Sequence, residues 1–187
     1  MSIRGYAIAL AMACAVIPAA TGAEAGRPVH ERTTLLSRSD GKGITTYWGE
    51  GASYEIVGPG MTMFFMRRED GKLAPPMIRV AYVGDSWIHA ESVTFTVGER
   101  IYGPFDDVYR KPTRTRVGPA LVVEALMVPV DSDEKWRMVE GIREAAELGR
   151  PVIFVLDGDT RYGIEVDRAS KQATGSAIDG FRRLRSQ

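Results

Sequence analysis

From residue 33 onward the chain is written in short runs of β-branched and aromatic residues, broken about every eight to twelve positions by glycine-containing turns. That spacing is the mark of antiparallel strands in a sandwich or barrel. The first runs are residues 33–37, 44–48, 54–57 and 61–67. Gly41 and Gly43, Gly49 and Gly51, Gly58 and Gly60, and Asp70-Gly71 separate or end them, supplying positions that tolerate positive φ. Residues 91–97 alternate most cleanly, with Val93, Phe95 and Val97 on one face and Ser92, Thr94 and Thr96 on the other. Gly98-Glu99 then serves as a two-residue hairpin loop into residues 100–105. Residues 77–83 set Ile78, Val80 and Tyr82 on one face. Residues 121–128 and 152–156 are nearly continuous apolar runs, which predicts strands covered on both sides.

Helical spacing appears late. Asp131 with Glu134 three positions on reads as a capping box, Trp136, Val139, Ile142 and Ala146 form an apolar stripe, and Gly149-Arg150-Pro151 ends the segment. A second helix is expected from about Ala169 to Arg185, with Ala173, Ala177, Phe181 and Leu184 as its stripe. Gly175 and Gly180 each weaken it by up to ~1 kcal/mol relative to alanine, so it forms by docking. The expected fold class is α+β, mainly β: an antiparallel sandwich-like β-structure with two late helices packed on it.

The first residues follow other rules. Arg4 supplies one positive charge, residues 6–20 carry none, Pro18 breaks the apolar run, and small residues follow. This order is that of a secretory signal peptide, residues 1–23, with residue 25 as the alternative end. The run is shorter than the ~20 apolar residues of a spanning helix. A flexible mature N-terminus over residues 24–32 and a single mainly-β domain over residues 33–187 are expected, periplasmic or secreted, with no transmembrane segment after processing. Cys14 is the only cysteine and lies in the signal region, so the mature chain has no thiol for disulfides, zinc–thiolate sites or cysteine nucleophiles. A chain of about 160 residues can bury roughly 68–70% of its unfolded surface and hold itself together without them. Lys plus Arg and Asp plus Glu balance at 24 each, with no long block of either sign, which argues against nucleic acid as a partner.

From Ile78 onward the features come as a strand (residues 80–83), a Gly84-Asp85-Ser86-Trp87 turn, a hairpin (residues 93–102), a strand with a central Glu124 (residues 122–126), a helix, a strand ending near Gly158, and a closing helix. This order resembles an uncharacterised family of small exported bacterial β-rich domains with a Gly-Asp-x-Trp turn. Over a little more than half the chain, the resemblance implies export and a β-rich fold, and it carries no catalytic residue across. The chain departs from the family at Gly98-Glu99, where Asp-Gly would stand, and at Val123, where an aromatic would.

Gly84-Asp85-Ser86 after an apolar strand is similar to the nucleophile block of the Gly-Asp-Ser type of serine hydrolases. That chemistry needs a histidine to take the serine proton, an orienting acid and oxyanion donors. Here Ser86, Asp85 and His89 are the candidates, but no histidine follows His89 and the chain has no asparagine. A polar turn before a core tryptophan, Trp87, explains the same residues. Met61, Met63, Met66 and Met77 with His89 offer soft ligands for cuprous ion, yet alternation sends Met63 and Met66 to opposite faces. Asp157-Gly158-Asp159 opens like a calcium loop, but Arg161 stands at the third ligand position, and a hairpin turn accounts for it. Glu124 is a carboxylate in an apolar strand, calling for an arginine partner or an exposed face. Arg110, Lys111, Arg114 and Arg116 read as a solvated loop. No metal and no cofactor is expected. The function expected is an exported, non-catalytic binding or interaction module of the bacterial cell envelope, its partner an envelope protein, glycan or lipid. The alternative is a serine hydrolase using Ser86.

Overall fold

The glycine-broken runs become strands in the computed structural model, which describes residues 35–52, 59–109 and 111–187. Six strands form one antiparallel sheet: β1 (Leu35–Ser39), β2 (Ile44–Gly49), β3 (Gly60–Arg68), β4 (Met77–Gly84), β7 (Thr113–Val117) and β8 (Leu121–Pro129), in the order β1-β2-β3-β4-β8-β7. Four more form a second antiparallel sheet, β5 (Ser92–Val97), β6 (Arg100–Phe105), β9 (Val152–Asp157) and β10 (Arg161–Glu165), ordered β10-β9-β5-β6. Two helices, α1 (Asp133–Leu148) and α2 (Arg168–Arg185), come late in the chain, so the molecule is α+β and mainly β.

Period-2 patterning explains which way each strand faces. In β5, Val93, Phe95 and Val97 are buried while Ser92, Thr94 and Thr96 are half-buried, as the alternation requires. Phe95 lies 6.3 Å from Phe105 and 6.2 Å from Phe154, ring centre to ring centre, which joins three strands of the second sheet through their aromatic side chains. Met61, Met63, Ile78, Val80, Leu126 and Val128 from the first sheet enter the same core as these side chains and as Met138 and Ile142 of α1. Strand β8 is buried on both faces from Val122 to Leu126, as its unbroken apolar run predicts. Strand β9 differs: Val152, Phe154 and Leu156 are buried, but Ile153 is exposed, so its second face is open.

Helix α1 packs on β5, β6 and α2, and α2 packs on β1, β2 and β3. The closeness of α2 depends on small residues: a Cβ at Gly49 would lie 2.1 Å from the Ala173 carbonyl oxygen, and one at Gly180 would lie 2.8 Å from Leu35. Gly180 thus costs helix propensity and allows the docking that offsets the loss. Asp167 caps α2, accepting from Ser170 N at 2.9 Å and Ser170 Oγ at 2.7 Å. Helix α1 has no basic residue in its last turn. Lys171 of α2 supplies a cation there, its buried Nζ donating to Arg150 O at 2.8 Å.

Three further local expectations need correction. The N-cap of α1 is Ser132, whose Oγ accepts from Lys135 N, and Asp131, one residue earlier, instead binds the Lys135 ammonium. The basic segment expected to be a solvated loop contains β7, an edge strand exposed along its whole length and held by pairing with β8. Trp87, expected deep in the core, is partly buried and packs against the core's edge. The expected signal peptide, the mature N-terminus expected over residues 24–32, the first two residues of the strand expected at 33–37, the strand expected at residues 54–57 and Arg110 lie outside the described residues.

Candidate functional site

Every residue proposed from sequence for hydrolytic chemistry falls on one loop, residues 85–91, between β4 and β5. What shapes this loop is Glu124. Its carboxylate sits in the middle of β8, opposite Tyr82 of β4, and is fully buried. Oε2 accepts from Ile88 N at 3.2 Å and His89 N at 3.1 Å; Oε1 accepts from Ala90 N at 2.8 Å and from Arg114 Nε at 2.9 Å. Three consecutive amides converge on one anion only where the chain curls into a nest, and His89 takes the required left-handed conformation with φ 50°. The two readings of Glu124, arginine partner or exposed face, resolve to the first, with three amides in addition.

The turn between β9 and β10 closes over the same loop. A Cβ at Gly158 would lie 2.2 Å from Ile88 O and 2.6 Å from His89 O, so only glycine lets the two loops touch. Asp159 N donates to Ile88 O at 2.8 Å, and the His89 Nδ1 donor lies 2.6 Å from Asp159 Oδ2. His89 is therefore held by its backbone and by its ring. Ser86 Oγ donates to Asp85 Oδ1 at 3.1 Å, both groups being exposed. Ser86, Asp85 and His89 share a loop but form no relay: the hydroxyl is turned to its neighbour and the imidazole to Asp159.

The other candidates are dispersed. Met61 and Met63 are buried in the core, whereas Met77 pairs in register with Phe64, a residue offset by one from Met63 and so on the opposite face of the sheet. Asp157-Gly158-Asp159 makes the β9–β10 turn, with Asp157 Oδ1 2.5 Å from Arg161 Nε. Among the described residues no group of three or more His, Cys, Asp or Glu side chains is placed to hold a metal ion.

Two clefts lie elsewhere, and sequence reasoning missed both. One, of about 560 Å³, runs between the β5–β6 turn and the second half of α1, past Arg100, Tyr102, Glu144 and Arg150. The other, of about 640 Å³, is walled by Leu73, Pro75 and Pro76 of the β3–β4 connection and by Trp136, Phe181 and Leu184 of the two helices. Trp136 is half-buried and its ring centre lies 5.9 Å from that of Phe181, which in turn meets Phe65 edge-on at 5.4 Å. The floor of this cleft is thus a stack continuous with the core.

Beside it, Lys135 Nζ is almost wholly buried, donating to Asp131 Oδ1 at 2.8 Å and to Asp107 Oδ2, and lying over the Phe105 ring. Burial opposes its charge, but the two carboxylates outweigh that and raise its pKa above the ordinary lysine value. Asp131 is thereby neutralised where it reaches the cleft. Among the described residues, no helix is long and apolar enough to cross a membrane. Comparison of the chain with protein-family models, with curated proteins and with solved structures finds no match.

Proposed function

We propose that this protein is an exported, non-catalytic binding or interaction module of the bacterial cell envelope, cleaved after residue 23 or 25, which meets its partner at the Trp136–Phe181 cleft. The observation that carries this reading is the cleft itself: an open, aromatic-floored concavity within the ordinary size range of ligand sites. The loop that bears Ser86, by contrast, spends its polar groups on internal bonds. The order of features from Ile78 onward, similar to that of small exported domains, supports the same reading.

A photo-reactive residue placed at Leu184 tests it in intact cells, with the same residue at Gly163 on the exposed strand β10 as the control. The expected result is a discrete adduct, with an envelope protein, glycan or lipid, from position 184 alone. N-terminal sequencing of the periplasmic protein should find a start at Glu24 or Gly26. Labelling of Ser86 by a fluorophosphonate, abolished in Ser86→Ala, would replace this reading with that of a hydrolase.

A further inference from the structure

The chemistry of the Trp136–Phe181 cleft narrows what can fill it. An extended peptide needs main-chain partners along the wall it lies against. Here that wall is Pro75-Pro76, which has no N–H to give, and the Pro76 carbonyl already accepts from Val130 N at 2.8 Å. A glycan needs uncommitted polar groups, yet two of the charged residues at the cleft are in ion pairs: Lys72 with Asp70 at 3.3 Å, and Asp131 with Lys135 at 2.8 Å. What remains is apolar surface from Leu73, Trp136, Phe181 and Leu184, the neutral side chain of Gln187, and one further charged side chain, Arg185. Arg185 lines the cleft, is exposed, and has no carboxylate partner among the described residues.

A cleft with an aromatic floor and, at its lining, one guanidinium without a carboxylate partner among the described residues is complementary to a single anion on a hydrocarbon body. Guanidinium binds carboxylate or phosphate through two parallel N–H donors, and a single guanidinium balances a single negative charge, which favours a monocarboxylate over a phosphate monoester of nearly two charges. We propose that the cleft binds a free fatty-acid-type monocarboxylate, its chain laid along the Pro75-Pro76 wall over Trp136 and its head group paired with Arg185. This inference rests on the reading of the cleft as the binding site and adds the class of ligand.

The test is titration of the purified protein with dodecanoate, followed by tryptophan emission, with dodecanol as the neutral control of equal length. Trp136→Phe assigns the signal against Trp48 and Trp87. Saturable binding of dodecanoate is expected, with the change in emission lost in Trp136→Phe. Arg185→Gln should weaken dodecanoate roughly tenfold or more, as for loss of a charge-assisted pair, and leave dodecanol unchanged. Arg185 is in the exposed last turn of α2, so an unaltered thermal melt of the variant excludes misfolding. Equal affinity for dodecanoate and dodecanol, indifference to Arg185→Gln, or no saturable binding would each overturn the proposal. In any of those cases an adduct formed at position 184 in cells would leave the binding-module reading standing, and its absence would remove both.

Discussion

Around Glu124, a charge is buried and every donor aimed at it comes from the chain itself; beside Trp136, apolar surface is left facing a cleft while, among the described residues, Lys72 and Asp131 are paired off and Arg185 is not. The first arrangement spends its polar groups inward, with three amides and a guanidinium on one carboxylate. The second leaves an aromatic floor in contact with solvent. The difference teaches where to look for function in a molecule with a motif-bearing loop. A loop whose hydrogen bonds are internally satisfied has little left for a substrate, even when it carries Ser, His and Asp. Partly exposed apolar surface in a concavity still has free energy to release on binding.

The largest effect should come from emptying the nest. Glu124→Ala leaves Arg114 hydrated at the surface but takes the acceptor from three amides, and each buried donor left unsatisfied, as at Ile88 and Ala90, costs about 1–3 kcal/mol. Urea unfolding of Glu124→Ala and Glu124→Gln should rank them in that order of damage. A Glu124→Ala protein as stable as the parent would show that the loop is not anchored here.

On the cleft side, removing a charge should cost far less. In Lys135→Met the carboxylates left behind, Asp107 and Asp131, are about half-exposed and stay hydrated, so the loss should be about 1.5 kcal/mol, the upper net worth of an ordinary hydrogen bond. The folded-state pKa of Lys135 is raised, so its contribution is fully present below the unfolded lysine pKa of about 10.4 and is lost as pH climbs through the folded value. The stability gap between parent and variant should therefore be constant near neutrality and close in alkali. The variant should also bind dodecanoate more weakly, because Asp131 then faces the cleft without its counter-ion.

Next comes the cap that starts α2, the helix whose far end builds the cleft. Asp167→Ala should cost about 1 kcal/mol. Burial pushes the Asp167 carboxyl up, but bonds from the Ser170 hydroxyl and amide win and hold it below the ordinary aspartate value. Its contribution is present above that ordinary value and disappears as pH falls through the folded one, so thermal melts of parent and variant should converge in acid. A gap that persisted in acid would point to packing instead of the cap. The smallest effect is reserved for the residue that most resembles a nucleophile: Ser86→Ala should leave stability within ~0.5 kcal/mol, since Ser86 is exposed and bonds only its neighbour among the described residues.

What was legible in the residues was what is local. The alternation of Val93, Phe95 and Val97, the Gly98-Glu99 hairpin and the left-handed Gly149 that ends α1 each depend on a few consecutive side chains and the φ they permit. The local signals failed where two nearby choices compete, as with Asp131 and Ser132 for the cap. They also failed where a strand has no apolar face of its own: Thr113–Val117 is a strand because β8 pairs with it. Glu124 stood out in sequence as a charge needing a partner, but its three amide donors lie 34 to 36 positions away, and no periodicity reports them. The cleft is less legible still, because its walls come from residues 71–76, 130–136 and 181–187, which no local pattern brings together. Turns and caps are decided by torsions within a few bonds. A buried carboxylate's partners and a cleft's walls are decided by which distant surfaces meet when the core excludes water, and here docking α2 against β1, β2 and β3 brings Phe181 beside Trp136.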